Sequence, residues 1–167
     1  MNKILDVILT NTYSISQLKH RLSLLKNHLL KTLFASKQEL ILTESESNWL
    51  NSLPKDFLSQ FNQNNIYKIF EDLEKQITSL KPLIIYLTFE PDDDTLSQIG
   101  EKTRQVFGSP RSAGGAGRVI LLDIKYNPAL IAGASFVWNG LSRDYSLKAK
   151  VEERKMVILD SFKKFLR

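Results

Sequence analysis

The densest group of chemically able side chains in the sequence is the run Asp92, Asp93, Asp94. Clustered carboxylate oxygens suit magnesium or calcium. No second carboxylate group stands at loop-ligand spacing to complete a shell, so the run reads as the acidic start of a helix, where negative charge meets the positive end of the helix dipole. His20 and His28 stand eight residues apart, about two helical turns, which is too far along one helix to share a tetrahedral zinc. Neither histidine has an acid partner evident in the sequence, and no G-x-S-x-G elbow occurs, which argues against a nucleophilic hydrolase. The stretch GSPRSAGGAGR, with Arg111 and Arg118, could present backbone amides to a phosphate. A phosphate-binding P-loop, however, needs lysine and then serine or threonine after its last glycine; here Arg118 and Val119 follow and lead into a strand. The stretch reads as a mobile linker. Trp49 and Trp138 could stack bases or anchor a partner, yet both fall at apolar-pattern positions and read as core. No catalytic, cofactor-binding or metal-binding residue is expected, and no cofactor.

These residues must be positioned by a chain of 167 residues with no cysteine, 43% hydrophobic and 25% charged residues and a net charge of +5. That balance is one of a folded protein, of one domain or two small modules, with no use for disulfides. The opening MNKILDVILTN reads as an ordinary helix, because Asp6 interrupts its apolar stretch and no small-residue cleavage site follows. No apolar run approaches the roughly 18 to 20 residues that a spanning helix needs. The positive charge is compatible with nucleic acid, an anionic membrane or an acidic protein, since one field would attract all three.

Apolar residues at helical spacing predict a helix over Ser14 to Phe34, with Ile15, Leu18, Leu22, Leu25, Leu29 and Leu33 as its stripe, widened by Leu30 and Phe34. The pattern lapses from Ala35 to Ser47. It resumes over Ser47 to Phe61, divided by Pro54, and over Asn65 to Leu80, ended by Pro82. After Pro82 the character changes: Leu83 to Phe89 predicts a buried strand. A helix from Asp92 follows, with Leu96, Ile99, Thr103, Val106 and Phe107 inward and Gly108 at its end. Arg118 to Ile124 predicts a second strand, Tyr126 to Ala129 a turn, and Ala134 to Trp138 a third strand. Asn139-Gly140 is a tight-turn pair that leads into Leu141 to Tyr145. Ser146 then caps a last helix with Leu147, Val151, Ile158, Phe162, Phe165 and Leu166 near one register. Its lysines could track phosphates, but Glu152, Glu153 and Asp160 interrupt the basic face. The expected fold class is α+β: a small amino-terminal helical module over residues 1–81, then a β-α-β-β-α module over residues 83–167.

That order of elements, with NPALIAGASFVWNGLSRDYSLKAKVEE from Asn127 onward, resembles the carboxyl-terminal domain of the F-type ATP synthase delta subunit, the oligomycin-sensitivity-conferring protein of mitochondria. The residues that carry the resemblance are Pro128, Leu130, Ile131, Gly133, Gly140, Asp144, Ser146 and Leu147. Asn127 stands where the family has aspartate, Ala132 where it has a first glycine, and Trp138 adds bulk to a strand that is usually aliphatic. The likeness covers roughly Leu83 to Leu166. The amino-terminal half lacks the arginine-tyrosine-alanine opening of the family's six-helix bundle. Related stalk subunits of vacuolar-type ATPases and of the flagellar export stator share a similar tail motif.

The resemblance implies a non-catalytic stator connector that links the catalytic head to the peripheral stalk. Its implied partners are the carboxyl-terminal helix of the stalk b subunit and the alpha subunits of the head. It further implies a cytoplasmic location, peripheral on the inner membrane, with the membrane reached only through the complex. The motif residues mark the implied partner-binding region. Two alternatives are carried beside it. A basic nucleic-acid-binding module predicts affinity that falls steeply with salt. An enzyme using the glycine-rich stretch predicts thermal stabilisation by nucleotides.

Overall fold

The computed structural model describes residues 3–34, 41–107 and 120–166. Among them the chain has an α+β fold, with seven α-helices and one four-stranded mixed sheet. Two compact units are present; the described part of the first runs up to Leu80, and that of the second begins at Lys81.

The first unit is helical: α1 (Lys3–Leu9), α2 (Ile15–Phe34), α3 (Glu44–Asn51), α4 (Lys55–Leu58) and α5 (Ile66–Thr78). The stripe of α2 buries Leu18, Leu22, Leu25 and Leu29, and α5 buries Ile66, Phe70, Leu73 and Ile77 at the same helical spacing. An aromatic run links Phe57, Phe61 and Phe70, with ring centroids 5.4 and 5.9 Å apart. Phe34, expected to widen the stripe of α2, is instead exposed; its ring lies 6.3 Å from that of Tyr67. Pro54 does divide the third helical stretch, standing as the cap of α4. The start of α3 is set by Thr43 rather than by Ser47. The Thr43 hydroxyl accepts from the amide of Glu46 at 3.3 Å, and the Glu46 carboxylate accepts from the amide of Thr43 at 2.7 Å. This reciprocal pair satisfies two donors that a helix start leaves free.

The second unit contains β1 (Leu83–Leu87), α6 (Asp93–Phe107), β2 (Leu122–Tyr126), a short 3-10 turn at Pro128–Leu130, β3 (Ala134–Trp138), β4 (Leu141–Asp144) and α7 (Leu147–Phe165). The strand order is β2-β1-β3-β4. β1 runs parallel to β2, with Leu83 opposite Leu122, which requires a crossover; α6 lies within it. β1 runs antiparallel to β3, with Ile85 opposite Phe136, and β3 pairs with β4 as a hairpin. Asn139 and Gly140 turn that hairpin at φ of 49° and 80°, the left-handed pair that matches the twist of the flanking strands.

Leu83, Ile85 and Leu87 of β1 are buried, as are Leu122 of β2, Leu96 and Thr103 of α6, and Leu130. Some expectations need correction. β1 stops at Leu87, and Phe89 is exposed. β2 starts at Leu122 instead of Arg118 and runs on to Tyr126, because the ladder is aligned on Leu83. Ile120 and Leu121 precede it and are buried, and the Leu121 carbonyl accepts from the amide of Leu83 at 2.9 Å. Val106 faces water, at 74% exposure. Arg111, Arg118 and the rest of the glycine-rich stretch lie outside the described residues.

Candidate functional site

α7 is 19 residues long and has no buried residue. Among the described residues nothing buries its apolar side chains. Leu147, Val151, Ile158, Phe162 and Phe165 follow one another at intervals of four, seven, four and three residues, which at 3.6 residues per turn confines them to a stripe about 60° wide. Phe162 is 62% exposed and Phe165 89%. Met156, Val157 and Leu159, all exposed, lie outside the stripe and carry the apolar surface around the helix at its middle.

The base of α7 is held by a joint made from the two chain segments on either side of the β3–β4 hairpin. Asn127 opens the first segment: its Oδ1 accepts from the amide of Ala129 at 3.1 Å and caps the turn that Pro128 begins. An asparagine oxygen performs this cap as an aspartate oxygen would. Leu130 is buried under the turn. Ile131 then has φ of 67° and ψ of −55°, and the Ala132 amide donates back to the Leu130 carbonyl at 2.8 Å. This is a γ-turn centred on a β-branched residue, a strained conformation. Gly133 follows at φ of 89°. A Cβ at that position would stand 2.7 Å from the carbonyl oxygen of Tyr145 and 3.1 Å from the Cα of Ser146, so the close passage of the two segments requires glycine.

The second segment answers the first. The amide of Tyr145 donates to the Ala134 carbonyl at 2.9 Å, and that of Leu147 to the Ala132 carbonyl at 2.8 Å. Asp144 Oδ1 accepts from the Ser146 amide at 2.8 Å, and Ser146 Oγ accepts from the Ala149 amide at 3.2 Å. Ser146 is fully buried while it caps α7. The backbone amide of Ser146 foremost, with its hydroxyl and then the nearby Lys148, holds the Asp144 carboxyl below the ordinary aspartate value.

Every motif residue thus has a mechanical place. Pro128, Leu130, Ile131 and Gly133 form one half of the joint, Asp144, Ser146 and Leu147 the other, and Gly140 turns the hairpin between them. Ala132 does not have a positive φ, so alanine is tolerated there; the left-handed step falls on Ile131. An open cleft of about 330 Å³ beside the joint is lined by Tyr86, Asn127, Ser135, Asp144, Lys148 and Glu152, among others.

Two predictions arise from this geometry. Ile131→Gly should relieve the strained turn while losing only a side chain that is 65% exposed. We expect a gain of about 1 kcal/mol in urea unfolding, and a loss of stability would show that the side chain is needed where it stands. Because the folded-state pKa of Asp144 is depressed, its contribution to stability is fully present above its unfolded value. It is lost as pH falls through the folded value. An Asp144→Asn variant should therefore show a weaker acid dependence of unfolding below the ordinary aspartate range than the parent chain.

The other residues singled out in the sequence have local partners. Asp92 Oδ1 accepts from the Thr95 amide at 2.8 Å, acting at the start of α6. His20, for which the sequence suggests no acid partner, has one: its Nε2 lies 2.7 Å from Glu46 Oε1. That carboxyl is held below its ordinary value first by the amide and hydroxyl of Thr43 and then by His20. The pair joins α2 to α3 across 26 residues of sequence, which explains why local spacing does not reveal it. Trp49 is half-buried beneath the Arg21 guanidinium, 5.2 Å from its ring centre, and Trp138 is half-buried at the end of β3. The Thr43-x-x-Glu46 capping pattern is a local sequence signal for the start of α3, whereas the close approach at Gly133 to Tyr145 and Ser146 has none.

No protein-family model matches the chain, and the search of curated proteins finds no match.

Proposed function

We propose that this chain is a non-catalytic connector in the stator of a rotary F-type ATP synthase, with α7 as the element that binds the carboxyl-terminal helix of the stalk b subunit. The observation that supports this reading is a 19-residue helix with no buried residue, capped by a fully buried serine and hydrogen-bonded at its base to the segment before the hairpin. A stator must hold the catalytic head against rotor torque. That task calls for a stiff mount and an extended apolar contact, and needs no reactive group. The joint supplies the mount and the stripe on α7 supplies the contact.

In this reading the helical unit faces the alpha subunits of the head, and the chain is cytoplasmic, reaching the inner membrane only through the complex. Among the described residues no helix is long and apolar enough to cross a membrane. The test is affinity purification of the tagged chain from native membranes, with mass spectrometry of what is retained. Recovery of the alpha, beta and b subunits in stoichiometric amounts supports the proposal. Recovery of RNA-associated proteins without them contradicts it and favours the nucleic-acid alternative.

A further inference from the structure

The charges on α7 are sorted by face. With the stripe of Leu147, Val151, Ile158, Phe162 and Phe165 taken as the centre, a helix of 3.6 residues per turn puts Arg154, Lys155, Lys148 and Lys150 within about 40° to 80° of it. These four cations occupy both flanks of the stripe, and all are exposed. The carboxylates of Glu152, Glu153 and Asp160 fall more than about 100° away, on the far side. There Asp160 Oδ1 lies 4.0 Å from Lys163 Nζ, an ion pair that leaves the flanks untouched.

A narrow apolar seam with one sign of charge along both edges is the pattern by which a helix selects a partner helix. We infer that α7 pairs with an acidic amphipathic helix, whose own seam packs on the stripe and whose flanking glutamates or aspartates meet Lys148, Lys150, Arg154 and Lys155. This deepens the stator reading and rests on it, by stating the chemistry that the stalk helix must carry.

The same pattern disfavours other occupants. A second copy of α7 would bring cationic flanks against cationic flanks. A bilayer surface calls for a broad apolar face opposite a continuous polar one, whereas the stripe is narrow and Met156 breaks the far polar side. Met156, Val157 and Leu159 also ring the middle of the helix with apolar surface, which suits enclosure by protein.

The test uses the whole chain and synthetic heptad-repeat helices with leucine seams and glutamate, glutamine or lysine on both flanks, read by fluorescence anisotropy at low and high salt. The glutamate-flanked helix should bind roughly tenfold more tightly than the glutamine-flanked one, with the advantage shrinking in salt. An R154E/K155E variant, whose substitutions fall at exposed positions, should transfer the preference to the lysine-flanked helix. Equal binding of all three helices overturns the inference, as does preferential binding to phosphatidylglycerol vesicles or self-association at the same concentrations. If R154E/K155E still co-purifies with the b subunit at parental yield, the charge inference fails and the stator reading stands. If the acidic helix binds but no synthase subunit is recovered from membranes, the stator reading fails and the charge inference stands.

Discussion

Replacing Ile158 and Phe162 together by aspartate should weaken the proposed binding of the stalk helix by at least about a hundredfold while leaving the fold of the free chain intact. Covering an aliphatic or aromatic side chain of this size contributes about 1.5–3 kcal/mol, and placing a carboxylate in its position adds the cost of burying an unpaired charge. In the free chain the two side chains are 38% and 62% exposed, and α7 has no buried residue, so neither substitution removes core packing. Titration calorimetry against the partner helix reads the first effect; circular dichroism and thermal unfolding read the second. A variant that unfolds would place α7 in the core of its own unit, and a variant that binds normally would remove the stripe from the interface. Phe34, exposed at 45% on the helical unit, provides the control: Phe34→Asp should leave stalk binding unchanged.

Gly133→Ala should be far more damaging to the second unit than Gly140→Ala. The new Cβ would meet two backbone atoms, the Tyr145 carbonyl at 2.7 Å and the Ser146 Cα at 3.1 Å, and neither can move without opening the joint. The left-handed φ of 89° adds backbone strain. Together these should cost roughly 2–3 kcal/mol, a fall in thermal midpoint of roughly 10–20 °C for a unit of this size. Gly140 separates the two causes, since it has φ of 80° but nothing within 4 Å of an added Cβ. Gly140→Ala should therefore show only the strain, about 1 kcal/mol. Equal losses at the two positions would mean that the close passage at Gly133 does not hold α7 in place.

The contrast between these glycines also shows how far the sequence could be read. Asn139-Gly140 identified the hairpin because the turn chemistry is local, and Ser146 identified the start of α7 for the same reason. The stripe of α2 was legible because a helical period recurs over 20 residues. What escaped was tertiary. The alignment of β2 follows pairing with a strand some 40 positions earlier, and propensity alone does not set such a register. Ile131 is a β-branched residue in a conformation that its type disfavours, so no propensity argument would place a γ-turn there. The two halves of the joint are hydrogen-bonded through the Ala132 and Ala134 carbonyls, which have no sequence signature of their own. The apolar spacing of α7 was legible; that none of the described residues buries it was not, because an amphipathic pattern is the same whether the covering surface lies within the chain or outside it.

The central claim is that α7 is the stalk-binding element. It is tested most directly by placing a photoreactive benzoylphenylalanine at Phe162, irradiating native membranes that contain the substituted chain, and mapping the adduct by mass spectrometry. The account predicts a cross-link to the carboxyl-terminal helix of the b subunit, abolished when Ile158 is also changed to aspartate. A cross-link to nucleic acid, to a second copy of this chain or to a protein outside the synthase would contradict it.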